Sequence, residues 1–136
     1  MLCRVGAKEL SDAVKPSLDA HNIRLIGVGV EEFGLQGFLE GNYFAGEMYV
    51  DTKKECYRRL GYKRYNMLSI LPALFTGRAD ISKARETGIG GDFKGDGLQN
   101  GGVLIVAAGM SGGEKTLFSW AQPSVTDHLD PKKILE

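Results

Sequence analysis

Cys3 and Arg4 make up the pair in this sequence with the clearest chemical potential. A thiol reacts as its thiolate. One in the first turn of a helix feels the positive end of the macrodipole, and a neighbouring arginine adds a full positive charge. Both favour the thiolate and so favour nucleophilic attack. Cys56 falls in the middle of a second helical stretch, on its apolar side, and reads as a small core residue. Two cysteines are too few for a disulfide scaffold, so a reduced intracellular setting is expected.

Other candidate motifs point away from nucleotide loops and metals. Residues 88–102 hold seven glycines in fifteen positions, which reads as loop. The phosphate-binding spacing fails there: Gly88-Ile89-Gly90 meets Phe93 where glycine is required, and Gly95-Asp96-Gly97 meets Asn100. Gly113-Glu114-Lys115-Thr116 places Glu114 where a P-loop needs glycine, and it lies in a hairpin rather than before a helix. His21 and His128 have no partners at metal-ligand or triad spacing, so both read as surface residues and no metal is expected. Residues 57–65, Tyr57-Arg58-Arg59-Leu60-Gly61-Tyr62-Lys63-Arg64-Tyr65, interleave basic and aromatic side chains. That pattern suits an anionic ligand or stacked bases, but a solvated helix face followed by a loop, with half-buried tyrosines, accounts for it better.

The elements that must position Cys3 are legible around it. Cys3, Ala7, Leu10, Val14 and Leu18 share one face of a helix over residues 3–21, which Pro16 should kink or restart. Residues 23–30 form an apolar run that suits a strand covered on both faces, as in a parallel sheet. A short helix around Leu35, Phe38 and Leu39 precedes a brief strand at residues 48–50. Thr52-Lys53-Lys54-Glu55 matches a capping box, with Gly61 as the left-handed stop and Cys56, Tyr57 and Leu60 as the buried side. A further helix is expected over residues 80–87. Strands at 103–108 and 115–121 follow, joined by a hairpin turn at 109–114. Asp130 and Pro131 read as the N-cap and first position of a last helix.

Composition bounds the rest. With 136 residues, the chain is the size of one domain. Its 17 basic and 17 acidic side chains balance, which disfavours a nucleic-acid binder. Hydrophobic residues make up 43% and charged residues 25%, an ordinary globular balance that excludes wholesale disorder. No apolar run reaches the ~18–20 residues a bilayer span needs. The start lacks a signal-peptide core, so secretion is not expected. Together these elements read as an α/β sandwich ending in an antiparallel pair.

Strings along nearly the whole chain resemble the peroxiredoxin-like 2 family of the thioredoxin-like superfamily. They begin with Cys3-Arg4, Glu9-Leu10-Ser11 and Ile23-Arg24-Leu25-Ile26-Gly27-Val28-Gly29. They continue through Gly34-Leu35-Gln36-Gly37-Phe38-Leu39, Tyr43-Phe44-Ala45-Gly46-Glu47-Met48-Tyr49-Val50-Asp51 and Leu60-Gly61-Tyr62-Lys63-Arg64-Tyr65-Asn66. Ser69-Ile70-Leu71-Pro72-Ala73 and Gly95-Asp96-Gly97-Leu98-Gln99-Asn100-Gly101-Gly102 complete them. The resemblance is to the branch that converts prostaglandin H2 and prostamide H2 to the F2α products. It implies a thioredoxin-like three-layer sandwich and a cytosolic reductase drawing NADPH electrons through thioredoxin, without a metal.

In that family a Cys-x-x-Cys pair opens the first helix. Cys3 matches its second cysteine, and the first would fall one position before Met1. The strand that precedes the active-site helix is likewise absent from this sequence, so the chain reads as an N-terminally incomplete single domain. On that expectation the strands at 23–30 and 103–108 flank a gap, and the chain is poorly stable and self-associating. A rival reading is a catalytically silent thioredoxin-like binding module. A third is an anion- or RNA-binding protein using residues 57–65.

Overall fold

A computed structural model describes residues 2–66, 98–107, 115–124 and 127–136. The elements, in order, are α1 (Leu2–Ala20), β1 (Ile26–Gly29), α2 (Leu35–Glu40), β2 (Glu47–Val50), α3 (Glu55–Arg59), β3 (Gly102–Val106), β4 (Thr116–Ala121) and α4 (Lys132–Leu135). The expected helix at 80–87, most of the glycine loop and the hairpin turn at 109–114 lie outside the described residues.

α1 runs through Pro16 as one continuous 19-residue helix, so the chain does not restart there. Pro16 is exposed, on the solvent side of the helix. Val5, Ser11 and Val14 are its buried residues, with Ala7, Leu10 and Leu18 half-buried beside them. The Ser11 hydroxyl is satisfied within the helix by donating to the Lys8 carbonyl at 3.3 Å. On the solvent side Lys8 pairs with Asp12 and Lys15 with Asp19, each four residues apart. α4 packs against α1, and Leu129 just before it is buried. Pro131, not Asp130 as expected, stands at the N-cap of α4, and the Asp130 carboxylate just before it accepts the Lys132 amide at 3.0 Å.

The strands form two separate two-stranded sheets. β1 and β2 pair in parallel, Ile26 opposite Glu47 through Gly29 opposite Val50, as the apolar run implied. The strand is shorter than residues 23–30, however, and Ile26 and Val28 are exposed rather than covered on both faces. β3 and β4 pair antiparallel with an irregularity between Ile105 and Val106. β1 and β3 do not pair, so each sheet keeps its own edge strands among the described residues.

α3 ties the two sheets together. The Tyr57 hydroxyl donates to the Val28 carbonyl of β1. Gly61 takes the left-handed conformation (φ 69°) expected of it, and the amides of Gly61 and Tyr62 bond back to Arg58 and Tyr57. That turn folds the Tyr62 ring edge-on against Tyr57, with centroids 5.8 Å apart, and over the first residue of β3. A side chain at Gly102 would stand 2.6 Å from Tyr62 Cζ, so this contact requires glycine.

The start of α3 corrects the capping-box expectation. Lys54, not Thr52, is the residue at the N-cap. It is left-handed (φ 55°) and provides no side-chain cap. The Asp51 carboxylate does the work instead, accepting the Cys56 amide at 2.7 Å. Cys56 itself is exposed, not core, and so is Leu60. In a five-residue helix only Tyr57 turns toward the sheet, which leaves Cys56 facing water.

Candidate functional site

The Cys3 backbone lies in the first turn of α1, as the sequence required for a dipole-assisted thiol, and no acidic residue occupies that turn. Arg4 is half-buried, with its guanidinium carbon 5.4 Å from the centroid of the Tyr43 ring. A cation over an aromatic face is held there by the ring quadrupole. Tyr43 in turn packs on Phe38 of α2 (centroids 5.7 Å apart) and across Gly41, where a side chain would collide with the ring. Gly34, left-handed at φ 75°, opens α2, a backbone conformation that favours glycine. The positive charge beside Cys3 is thereby held by α2 and the segment that follows it.

The two ends of α1 meet different elements. Lys15 and Asp19 near its C-terminal end line a cavity of about 420 Å³ with Ile23–Leu25 and Ala45–Glu47, where β1 and β2 begin. The N-terminal end, with Cys3 and Arg4, lies instead against α2 and the segment after it, through Tyr43.

His128 is exposed, as expected, yet its ring rests on α1. A side chain at Gly6 would come within 2.8 Å of His128 Nδ1. Gly6 is three residues after Cys3 and so on the same helix face. Nothing in the sequence spacing could have joined residues 6 and 128. His21 is exposed and its Nδ1 lies 2.8 Å from the Ser17 carbonyl, a local helix-end contact. Among the described residues no group of three or more His, Cys, Asp or Glu is placed to hold a metal ion. None of the described helices is long and apolar enough to cross a membrane.

Charged groups elsewhere on the β1–β2 sheet serve structure. Arg24 grips Glu47 through two parallel bonds of 2.8 and 2.7 Å, and Tyr49 donates to the same carboxylate at 3.0 Å. The Arg24 bonds, followed by the Tyr49 bond, hold the Glu47 carboxyl down at about 2, against a smaller opposing effect of burial. At Asp51 burial is the largest single influence and pushes the carboxyl up. The amides of Cys56, Glu55 and Lys54, with the Cys56 thiol, outweigh it and leave the group below its ordinary value.

The basic and aromatic stretch at 57–65 divides as its duller reading implied: Tyr57, Tyr62 and Tyr65 are half-buried, while Arg58, Arg59, Lys63 and Arg64 are exposed. Burial raises the Tyr62 phenol above its ordinary value.

Comparison with known proteins places this arrangement in a family. Residues 9–124 match the family described as AhpC/TSA antioxidant enzyme. The chain is similar to proteins named prostamide/prostaglandin F synthase. It is 49% identical to that of Bos taurus, with 100% of this chain and 67% of the relative aligned. The Homo sapiens protein is 46% identical, with 100% and 68% covered, and the Xenopus tropicalis protein 46% identical, with 99% and 66% covered. The chain thus spans about two thirds of the length of these relatives. No solved structure matches it significantly. The mixed helices and small sheets agree with the thioredoxin-like α/β fold of the matched family, and the chain belongs to the AhpC/TSA antioxidant enzymes.

Proposed function

We propose that this chain is a thiol-dependent oxidoreductase that reduces lipid endoperoxides of the prostaglandin H2 and prostamide H2 type to the F2α diols, with Cys3 as the attacking thiol. The observation that carries the reading is the identity of 46–49% over essentially the whole chain to proteins named prostamide/prostaglandin F synthase. The placement of Cys3 in the first turn of α1, next to an Arg4 anchored over Tyr43, supports it.

In this scheme the Cys3 thiolate attacks one endoperoxide oxygen. An S–O bond forms, the O–O bond breaks, and the departing oxygen takes a proton as the first hydroxyl. A thiol of thioredoxin then attacks the Cys3 sulfur and releases the second oxygen as the other hydroxyl, leaving a mixed disulfide. The second thioredoxin thiol frees Cys3, and NADPH restores thioredoxin through its reductase. NADPH acts upstream of thioredoxin in this scheme and needs no site on this chain. The cytosol, where thioredoxin is kept reduced, is the compartment the scheme requires.

The test is NADPH consumption with thioredoxin, thioredoxin reductase and prostaglandin H2, with the products identified by mass spectrometry. Wild-type chain should turn over and yield the F2α diol, and Cys3→Ser should not. Equal rates for both would remove Cys3 from the reaction. Absence of turnover with either, in a folded protein, would favour the rival reading of a catalytically silent thioredoxin-like binding module.

A further inference from the structure

We infer that Asn100–Gly101 is a site of spontaneous deamidation that the folded chain keeps closed, so that modification there marks a chain that has opened just after β4. Of the four asparagines only Asn100 precedes a glycine; Asn22, Asn42 and Asn66 precede Ile23, Tyr43 and Met67. A glycine amide has no side chain to crowd it, so it reaches the neighbouring carboxamide more easily than any other. In the reaction the Gly101 nitrogen gives up its proton and attacks Asn100 Cγ. A C–N bond forms, the Cγ–Nδ2 bond breaks, and Nδ2 takes up the proton and leaves as ammonia. Water then opens the succinimide ring to aspartate or isoaspartate, and no other reactant is needed.

In the folded chain Gln122 holds both reacting groups. The nucleophile, Gly101 N, donates to Gln122 Oε1 at 3.1 Å. The leaving group, Asn100 Nδ2, donates to the Gln122 carbonyl at 3.0 Å. Gln122 is itself fastened: its amide donates to the Gly101 carbonyl at 3.0 Å and its Nε2 to the Asp127 carbonyl at 2.8 Å. On the other side Asn100 N donates to the Lys63 carbonyl at 2.9 Å, and Asn100 is only 1% exposed. Attack on Cγ requires the carboxamide and the Gly101 peptide to turn out of these bonds, which a buried site opposes because nothing replaces them. Local opening of the segment after β4 removes the clamp.

The products do not fit the folded site, so the change runs one way. Aspartate replaces the Nδ2 donor by a carboxylate oxygen facing the Gln122 carbonyl, and Asn100 Oδ1 already has no hydrogen-bond partner among the described residues. A buried carboxylate without donors is strongly disfavoured. Isoaspartate adds a carbon to the main chain between the Arg64–Gln99 bridge and the Gly102–Ala121 pair that begins β3, which breaks the register between them. A chain modified while open therefore refolds poorly. The inference is independent of the thiol chemistry proposed above.

Peptide mapping by mass spectrometry tests it, on the full chain incubated at one pH in buffer and in urea. Modification at Asn100 should be about tenfold or more faster in urea than in buffer, and in urea faster than at Asn22, Asn42 or Asn66. A Cβ at residue 101 would meet nothing within 4 Å, so Gly101→Ala should fold as wild type does. It should slow the reaction in urea about tenfold, because the attacking amide is then crowded. Gln122→Ala, with its fold checked by far-ultraviolet dichroism, should speed modification in buffer severalfold. If that variant does not fold, the comparison of buffer with urea and the Gly101→Ala rate decide the matter. Chain modified in urea should regain less dichroism on dilution than unmodified chain. Equal rates at Asn100 in buffer and in urea, an undiminished rate in Gly101→Ala, a folded Gln122→Ala as slow as wild type, or full refolding of modified chain would overturn the inference.

Discussion

Replacing Val14 by Ala removes two methyl groups from the most enclosed apolar side chain among the described residues, 1% exposed in the middle of α1. At ~0.8 kcal/mol per buried methylene-sized group, lost transfer energy alone costs about 1.6 kcal/mol. The neighbours relax only in part, and the space left behind adds to this, so the loss should reach about 2–3 kcal/mol. Small domains are stable by only ~5–15 kcal/mol, so this one substitution should remove a large share of the total. Urea unfolding followed by far-ultraviolet dichroism measures it, with Val28→Ala as the control. Val28 is 38% exposed, and its truncation should cost less than ~1 kcal/mol. A shift for Val14→Ala below about 1 kcal/mol, or one equal to that of Val28→Ala, would refute the placement of the core along the Val5, Ser11 and Val14 face.

Three further outcomes follow from particular contacts. Asp51→Ala should fray α3 and lower the urea midpoint, while Thr52→Ala should leave it unchanged, because Asp51 accepts the Cys56 amide. The folded-state Asp51 carboxyl lies below its ordinary 3.8, so its contribution is complete above that pH and is lost as the pH falls below it. A midpoint that responds instead to Thr52 would show that the capping box forms after all. Timed iodoacetamide labelling read by mass spectrometry should modify Cys3 faster than Cys56. Both lie near helix starts, but Cys3 opens a 19-residue helix with Arg4 next to it, whereas Cys56 lies in a five-residue helix beside the Asp51 carboxylate that accepts its amide. Among the described residues the two sheets keep edge strands, and Ile26, Val28, Leu104, Val106 and Leu117 are exposed on them. Sedimentation should therefore show association that grows with concentration. A monomer at every concentration would contradict that expectation.

Periodicity and turn chemistry made the elements legible. The apolar spacing of α1, the parallel partner for the Val28 strand, the Gly61 stop and the antiparallel pair at the end all rest on local rules that the fold obeys. What escaped were features set by contacts between distant residues or by unfavourable backbone. No pattern announces that Lys54 will turn left-handed, and that single dihedral moves the cap from Thr52 to Asp51. Burial of Cys56 was inferred from its helix face, but a five-residue helix presents only Tyr57 to the sheet. The site was legible as Cys3 beside Arg4. The ring that Arg4 lies over, Tyr43, is 39 residues away and carries no local signature.

The most direct test of the central claim is a single turnover. The chain is mixed with one equivalent of prostaglandin H2 in the absence of other thiols, with dimedone present, then quenched and mapped by mass spectrometry. Attack by one thiolate and hydrolysis of the S–O bond should leave a sulfenate that dimedone captures, with one diol released per thiol oxidised. The account predicts dimedone on Cys3, the F2α diol in equal amount, and neither in Cys3→Ser. Capture at Cys56 alone, or diol formation undiminished in Cys3→Ser, would contradict it.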